Sequence, residues 1–82
     1  MADNTTDVVT LGDVAIGASA VVSGFCDSAP SRRFVEMGFV PGIRVTVLRA
    51  APLGDTIEYA VMGGRIAMRR SDASMILVKD SA

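Results

Sequence analysis

The chain has no histidine and no tryptophan, one cysteine, one tyrosine, three phenylalanines, and no lysine before position 79. Without imidazole it lacks the commonest general base and the most adaptable metal ligand, which leaves acid–base and nucleophilic catalysis with poor material. Cys26 stands beside Asp27 with no second base to draw off its proton, and reads as a passive, semi-buried side chain rather than a nucleophile. A lone thiol cannot form an internal disulfide, in keeping with a reducing compartment. The late lysine and the absence of a Gly-x-x-x-x-Gly-Lys-Ser/Thr run exclude a phosphate loop at Gly54 or Gly63-Gly64. Long apolar runs are missing too: Tyr59-Ala60-Val61-Met62 and Met75-Ile76-Leu77-Val78 fall far short of the ~20 residues that cross a bilayer. Residues 1–7 have neither the basic start nor the apolar core of a secretory signal, so residues 1–8 read as a loose tail and the expected location is cytoplasmic.

What is present is aliphatic. Half of the 82 residues are apolar, enough for one modest core in one domain, expected over residues 9–80. With so few rings, Val, Ile, Leu and Met must fill that interior, which suits a tightly strung β-structure and leaves little room for a large active-site cavity. The net charge of −1 hides an asymmetry: residues 1–31 carry four aspartates and no cation, whereas residues 32–70 carry seven arginines against Glu36, Asp55 and Glu58. A mildly basic body can face an acidic partner, although arginines also rim small barrels simply for solubility.

Glycine and proline punctuate the chain into short elements. Thr10-Leu11-Gly12-Asp13-Val14 reads as a turn or single helical turn, and Ala18 to Phe25, with β-branched Val21 and Val22, reads as a strand. Ser28-Ala29-Pro30-Ser31 carries helix-start chemistry, with serine available as a cap. The helix of about Ser31 to Met37 turns Arg32, Arg33 and Glu36 to solvent and ends on a left-handed Gly38. Val40-Pro41-Gly42-Ile43 matches a type II turn. From there Ile43, Val45 and Val47 alternate with polar residues until Leu48, which predicts a bulge or a switch in twist. Gly63-Gly64 predicts a two-residue hairpin that sets Val61 opposite Ile66, Tyr59 opposite Met68 and Glu58 opposite Arg69. Ser71-Asp72-Ala73-Ser74 reads as a helical turn capped by Ser71. Met75 to Lys79 reads as a last strand able to pair with the first, with Asp80-Ser81-Ala82 fraying.

Metal ligands are sparse. Ferrous iron is held by imidazole with carboxylate or by thiolates, and a site made only of Asp27, Asp55 or Glu58 would be weak and open. Met37, Met62, Met68 and Met75 form a soft set on paper, but their spacing is that of core filling. The seven arginines could track nucleic-acid phosphates; a sequence pI of about 5.1 and the shortage of stacking rings make this a minor alternative.

The order Leu11, Arg32-Arg33, Glu36-Met37-Gly38, Pro41-Gly42, Ala51-Pro52-Leu53-Gly54-Asp55, Gly63, Arg69 and Ala73 resembles the FeoA family, small accessory proteins of bacterial ferrous-iron uptake, from about Leu11 to Val78. It departs from the usual pattern at Phe34-Val35, Thr56 and Asp72. The resemblance implies a mainly β protein: a small SH3-like barrel of about five strands, with one short helix inserted after the first strand and a helical turn before the last. It also implies an accessory protein that meets the membrane through its partner, a ferrous-iron permease with a cytosolic GTPase domain; the residues themselves point to a non-enzymatic protein with no cofactor and no metal site. Arg32, Arg33, Glu36, Met37, Leu53, Gly54 and Asp55 are the candidate partner-binding residues. The same barrel type resembles the C-terminal domain of iron- and manganese-dependent repressors, so a metal-linked regulatory domain stands as the alternative.

Overall fold

A computed structural model describes residues 9–52 and 54–80. The tail expected over residues 1–8 lies outside the described residues, as does Leu53. In chain order the elements are β1 (Val9–Thr10), a 3-10 turn (Leu11–Asp13), β2 (Ser19–Phe25), α1 (Ser31–Glu36), β3 (Arg44–Ala50), β4 (Thr56–Val61), β5 (Gly64–Arg69), α2 (Arg70–Ala73) and β6 (Ile76–Asp80). Every strand pairing is antiparallel, and the strands run β1-β6-β2-β3-β4-β5 across one sheet. The last strand pairs with β2, as expected, and also with the two-residue β1, which raises the strand count to six. Closure is incomplete: among the described residues no ladder joins β5 back to β1, so the fold is barrel-like with an open seam.

One face of the sheet alternates into a single core. Ile57, Tyr59 and Val61 on β4 are buried between half-buried neighbours, and Val45 and Val47 on β3 repeat the period. Ala20, Val22, Met68, Ile76 and Val78 join from the other strands, with Leu11 and Ala73 from the helical turns. Leu48 interrupts β3 as its sequence implied: the β3–β4 register shifts between Val47 and Arg49. A second shift on β2, between Val22 and Gly24, has no counterpart in the sequence expectations.

α1 ends in a Schellman motif. Gly38 has φ +106, its N–H donates to the Val35 carbonyl (3.0 Å), and the Phe39 N–H donates to the Phe34 carbonyl (3.0 Å). Phe34 and Phe39, which flank the motif, are both fully buried, each ring contributing roughly 1.5–3 kcal/mol of burial. Phe39 also meets Tyr59 edge-on, with ring centroids 6.3 Å apart. The start of α1 corrects the capping expectation: Pro30 holds the cap position and no serine side chain bonds there. The following turn closes with the Ile43 N–H donating to the Val40 carbonyl at 2.9 Å, and the Gly42 N–H reaches back to Val22 on β2 (2.7 Å).

The hairpin turn sits one residue earlier than Gly63-Gly64. Met62 and Gly63 occupy the two turn positions, with φ +55 and φ +80, the pattern of a type I′ turn. Val61 therefore pairs with Gly64, Tyr59 with Ile66, Ile57 with Met68 and Glu58 with Ala67. The slip along β5 is two residues, so the faces are kept and only the partners change. Glu58 accepts its ion pair from Arg49 on β3 at 3.1 Å instead of from Arg69. Met62, expected as core filling, is 66% exposed because the turn lifts it out of the strand; Met68 is buried, and Met37 and Met75 pack against the core.

Two further corrections concern the last third. Ser71 lies inside α2, whose cap position is Arg69 without a side-chain bond; the free N–H of Arg70 is taken by the Asp55 carbonyl at 2.9 Å. Asp80, expected to fray, pairs with Ala20.

Candidate partner-binding surface

The helix inserted between β2 and β3, α1, faces β5 across a cleft and is held at both ends. Near its start, Arg33 Nη2 reaches Asp72 Oδ2 on α2 at 3.4 Å. Just past its end, Gly38 lies against the hairpin tip, where an added Cβ would sit 3.2 Å from Met62 Cγ and 3.8 Å from Val61 Cγ2. Between these anchors opens a cleft of about 570 Å³, lined by Arg33 and Met37 from the helix side and by Thr56, Met68, Arg69 and Ser71 from the sheet and α2. Its lining is mostly polar, unlike the apolar pockets that take drug-sized ligands.

The seven candidate residues meet here only in part. Arg33 and Met37 line the cleft, with Met37 partly buried against the core. Arg32 and Glu36 are exposed on the same helix and enter no ion pair among the described residues. Gly54 and Asp55 are exposed on the β3–β4 loop, next to Thr56 at the cleft margin. Asp55 is tied down on two counts: its carboxylate lies 3.7 Å from Arg70 Nε, and its carbonyl accepts the Arg70 N–H. Leu53 lies outside the described residues.

Sequence reasoning missed Thr56, Ala67, Met68, Arg69, Ser71 and Asp72 as cleft residues. No local signal marks them, because Arg33 and Asp72 are separated by 39 positions and are brought together by the sheet order alone. The electrostatics are mild. Among the described residues three ion pairs form, Arg33–Asp72, Arg49–Glu58 and Arg70–Asp55, and each arginine side chain is more than half exposed, so each pair is worth at most about 1 kcal/mol. In the core, burial pushes the Tyr59 phenol above its ordinary 10.0, and the nearby Arg70 charge pulls the other way.

Among the described residues no group of three or more His, Cys, Asp or Glu side chains is placed to hold a metal ion. Cys26 is unpaired, its Sγ 3.8 Å from the Ser28 hydroxyl. No helix among them is long and apolar enough to cross a membrane.

A coiled antiparallel sheet with a helix inserted after its first long strand defines an SH3-like β domain. The FeoA domain family matches residues 9–80, and the chain belongs to that family. A Chlorobium tepidum FeoA protein solved by NMR is 37% identical, with a TM-score of 0.78 over 90% of this chain and 71% of that one. A zinc-complexed Stenotrophomonas maltophilia FeoA, described as an SH3 domain protein, is 32% identical, with a TM-score of 0.74 over 87% of this chain and 89% of that one. In Porphyromonas gingivalis, a fusion of Fe(2+) transport protein A with the Fe(2+) transporter FeoB is 44% identical over 48 residues. Those residues are 58% of this chain and 6% of the fusion. A manganese-dependent transcriptional repressor shares the fold alone, at 21% identity and a TM-score of 0.76.

Proposed function

We propose that this chain is a non-enzymatic, cytoplasmic accessory protein of ferrous-iron transport, which binds the permease through its cytosolic GTPase region and modulates uptake or assembly. The observation that carries the reading is the fusion relative, in which an A part and a transporter part are one polypeptide. Parts joined in one chain meet at high effective concentration, and separate chains with the same task need a docking surface instead. The cleft beside α1 supports that role: it is polar, exposed and bordered by Arg33, Met37 and the Asp55 loop.

Capture by the permease's purified cytosolic domain tests it, using the wild type, Leu53→Asp and Arg32→Glu/Arg33→Glu. Arg32 and Arg33 are exposed and the Arg33–Asp72 pair is worth at most about 1 kcal/mol, so the double reversal keeps the fold although it unpairs Asp72, and its loss of capture would place α1, or its docking on α2, in the interface. Undiminished capture by both variants moves the interface elsewhere, and failure of the wild type to bind removes the accessory reading. GTP turnover with and without the protein separates an activator from an adaptor. Anaerobic Fe(II) titration separates both from an iron carrier.

A further inference from the structure

β5 is a free edge with a defined polarity. Val61 and Gly64 close the two-residue turn as a hydrogen-bonded pair, so Ile66 and Met68 exchange bonds with β4 while Arg65, Ala67 and Arg69 turn their N–H and C=O groups away from it. Among the described residues no strand pairs with the outer side of β5. Among the described residues no backbone bond outside the ladders uses Arg65, Ala67 or Arg69. The opposite edge, β1, is only two residues long, whereas β5 offers six, a template roughly 20 Å long. Edges of this kind are normally blunted by a proline, a bulge, a covering element or charged side chains, and of these β5 carries only the charges of Arg65 and Arg69. β5 has no proline and pairs with β4 without a register shift, and α1 stands off from it across the cleft.

The charge around the edge selects an occupant. Asp72, Glu58 and Asp55 are each engaged by Arg33, Arg49 and Arg70. Arg65 and Arg69 enter no ion pair among the described residues, and they share the outer face of β5 with the small Ala67 between them. On the flanking helix Arg32 and Glu36 are of opposite sign. A second copy of this chain fits badly: the antiparallel register centred on Ala67 uses the whole edge but sets Arg65 opposite Arg69 twice, and like charges directly opposite are destabilising.

We propose that β5 is a strand-addition edge: an extended segment of a protein partner, with acidic side chains four residues apart, pairs with the backbone of Arg65, Ala67 and Arg69 in the groove beside α1. Its carboxylates meet Arg65 and Arg69. The proposal rests on the partner-binding reading above for the existence of a protein partner, and adds the chemistry by which that partner is held.

The probe is a capped seven-residue peptide of valines with glutamate at its second and sixth positions and threonine at its fourth, titrated into the full chain and followed by 15N–1H NMR. The expected result is that the largest shifts and the slowed amide exchange fall on Arg65, Ala67 and Arg69, with affinity at least tenfold weaker when lysines replace the glutamates. Ala67→Pro removes one outward N–H and no bond to β4, so the variant stays folded and loses the peptide. Arg65→Glu/Arg69→Glu supplies a second reading that does not depend on proline: it should prefer the lysine peptide. No shift up to millimolar peptide, shifts confined to other residues, or unaltered binding by Ala67→Pro would overturn the proposal. The permease domain separates the two readings. Its equal capture by wild type and Ala67→Pro overturns the edge and keeps the accessory role; peptide addition at β5 with no capture by wild type keeps the edge and removes that role.

Discussion

Gly38→Ala is the substitution that bears hardest on how α1 is fixed. Gly38 sits at φ +106, where an L side chain is strained by about 1–3 kcal/mol. The new Cβ would also stand 3.2 Å from Met62 Cγ, closer than carbon atoms rest. Met62 is 66% exposed and can swing aside, so this second part amounts to a partly covered methionine, under about 1 kcal/mol. The expected total is about 1–4 kcal/mol, against a stability of roughly 4–12 kcal/mol for a chain of this length. In thermal unfolding that is on the order of 10 °C.

A double-mutant cycle separates the two parts. In a Met62→Ala background the contact is gone, and Gly38→Ala should cost only the conformational share of about 1–3 kcal/mol. Urea unfolding followed by circular dichroism gives each corner of the cycle, provided the slope with denaturant stays constant. Amide exchange at Phe39, whose N–H closes the motif onto Phe34, reports whether the loss is local. A loss below about 0.5 kcal/mol in both backgrounds would refute the reasoning, since the left-handed residue would then carry no strain worth relieving.

Three further outcomes follow from the core and the ion pairs. Tyr59 has its phenol pKa raised in the folded state, so its contribution is complete below the unfolded value near 10 and is lost as pH climbs through the folded value; wild type minus Tyr59→Phe in high-pH unfolding isolates that decline from the titration of Lys79, and parallel curves would disprove it. Glu58→Gln breaks the pair with Arg49, whose side chain is 66% exposed, and should cost no more than about 1 kcal/mol at low salt and less at high salt; a loss above 2 kcal/mol in urea unfolding would contradict the exposed geometry. Phe39→Ala removes a fully buried ring that meets Tyr59 and sits on the helix exit, with an expected loss of about 3–5 kcal/mol; a native-like melting temperature would show that the core collapses around the gap.

The faces of the strands were legible because their period is two and their apolar set is unmistakable on β3 and β4. What was not legible was which residue stands across from which. Met62 shows why: a left-handed methionine is uncommon, so Gly63-Gly64 was the natural turn, yet the turn moved one position earlier and the partner strand slid by two. That slide left Ile66 and Met68 on the inner face and moved only the cross-strand pairs, which is why the pairing of Glu58 with Arg69 failed while the core did not. The caps depart from the sequence pattern in the same way: at the start of α1 and at α2, where Ser71 is the expected cap, a carbonyl from the local backbone or a distant loop supplies what a hydroxyl was expected to supply. The candidate surface was half legible. Arg33 and Met37 follow from helix spacing; Asp72 and Thr56 reach the cleft through sheet order, which a local reading of the chain does not contain.

The open seam of the sheet and the rigidity of α1 belong together. A ladder from β5 to β1 would close the barrel, but α1 stands alongside β5, and it cannot be a loose lid because Phe34 and the adjoining Phe39 are fully buried in the common core. Arg33 and Gly38 fix its two ends against α2 and the hairpin tip. The groove between helix and strand edge is therefore built before any ligand arrives. An extended segment that enters it bears its own ordering cost but causes none in the receptor, and a preformed groove loses less of its gross contact energy to entropy than one that must assemble. If the proposed segment binds there, that preorganisation is what the buried rings of Phe34 and Phe39 contribute to it.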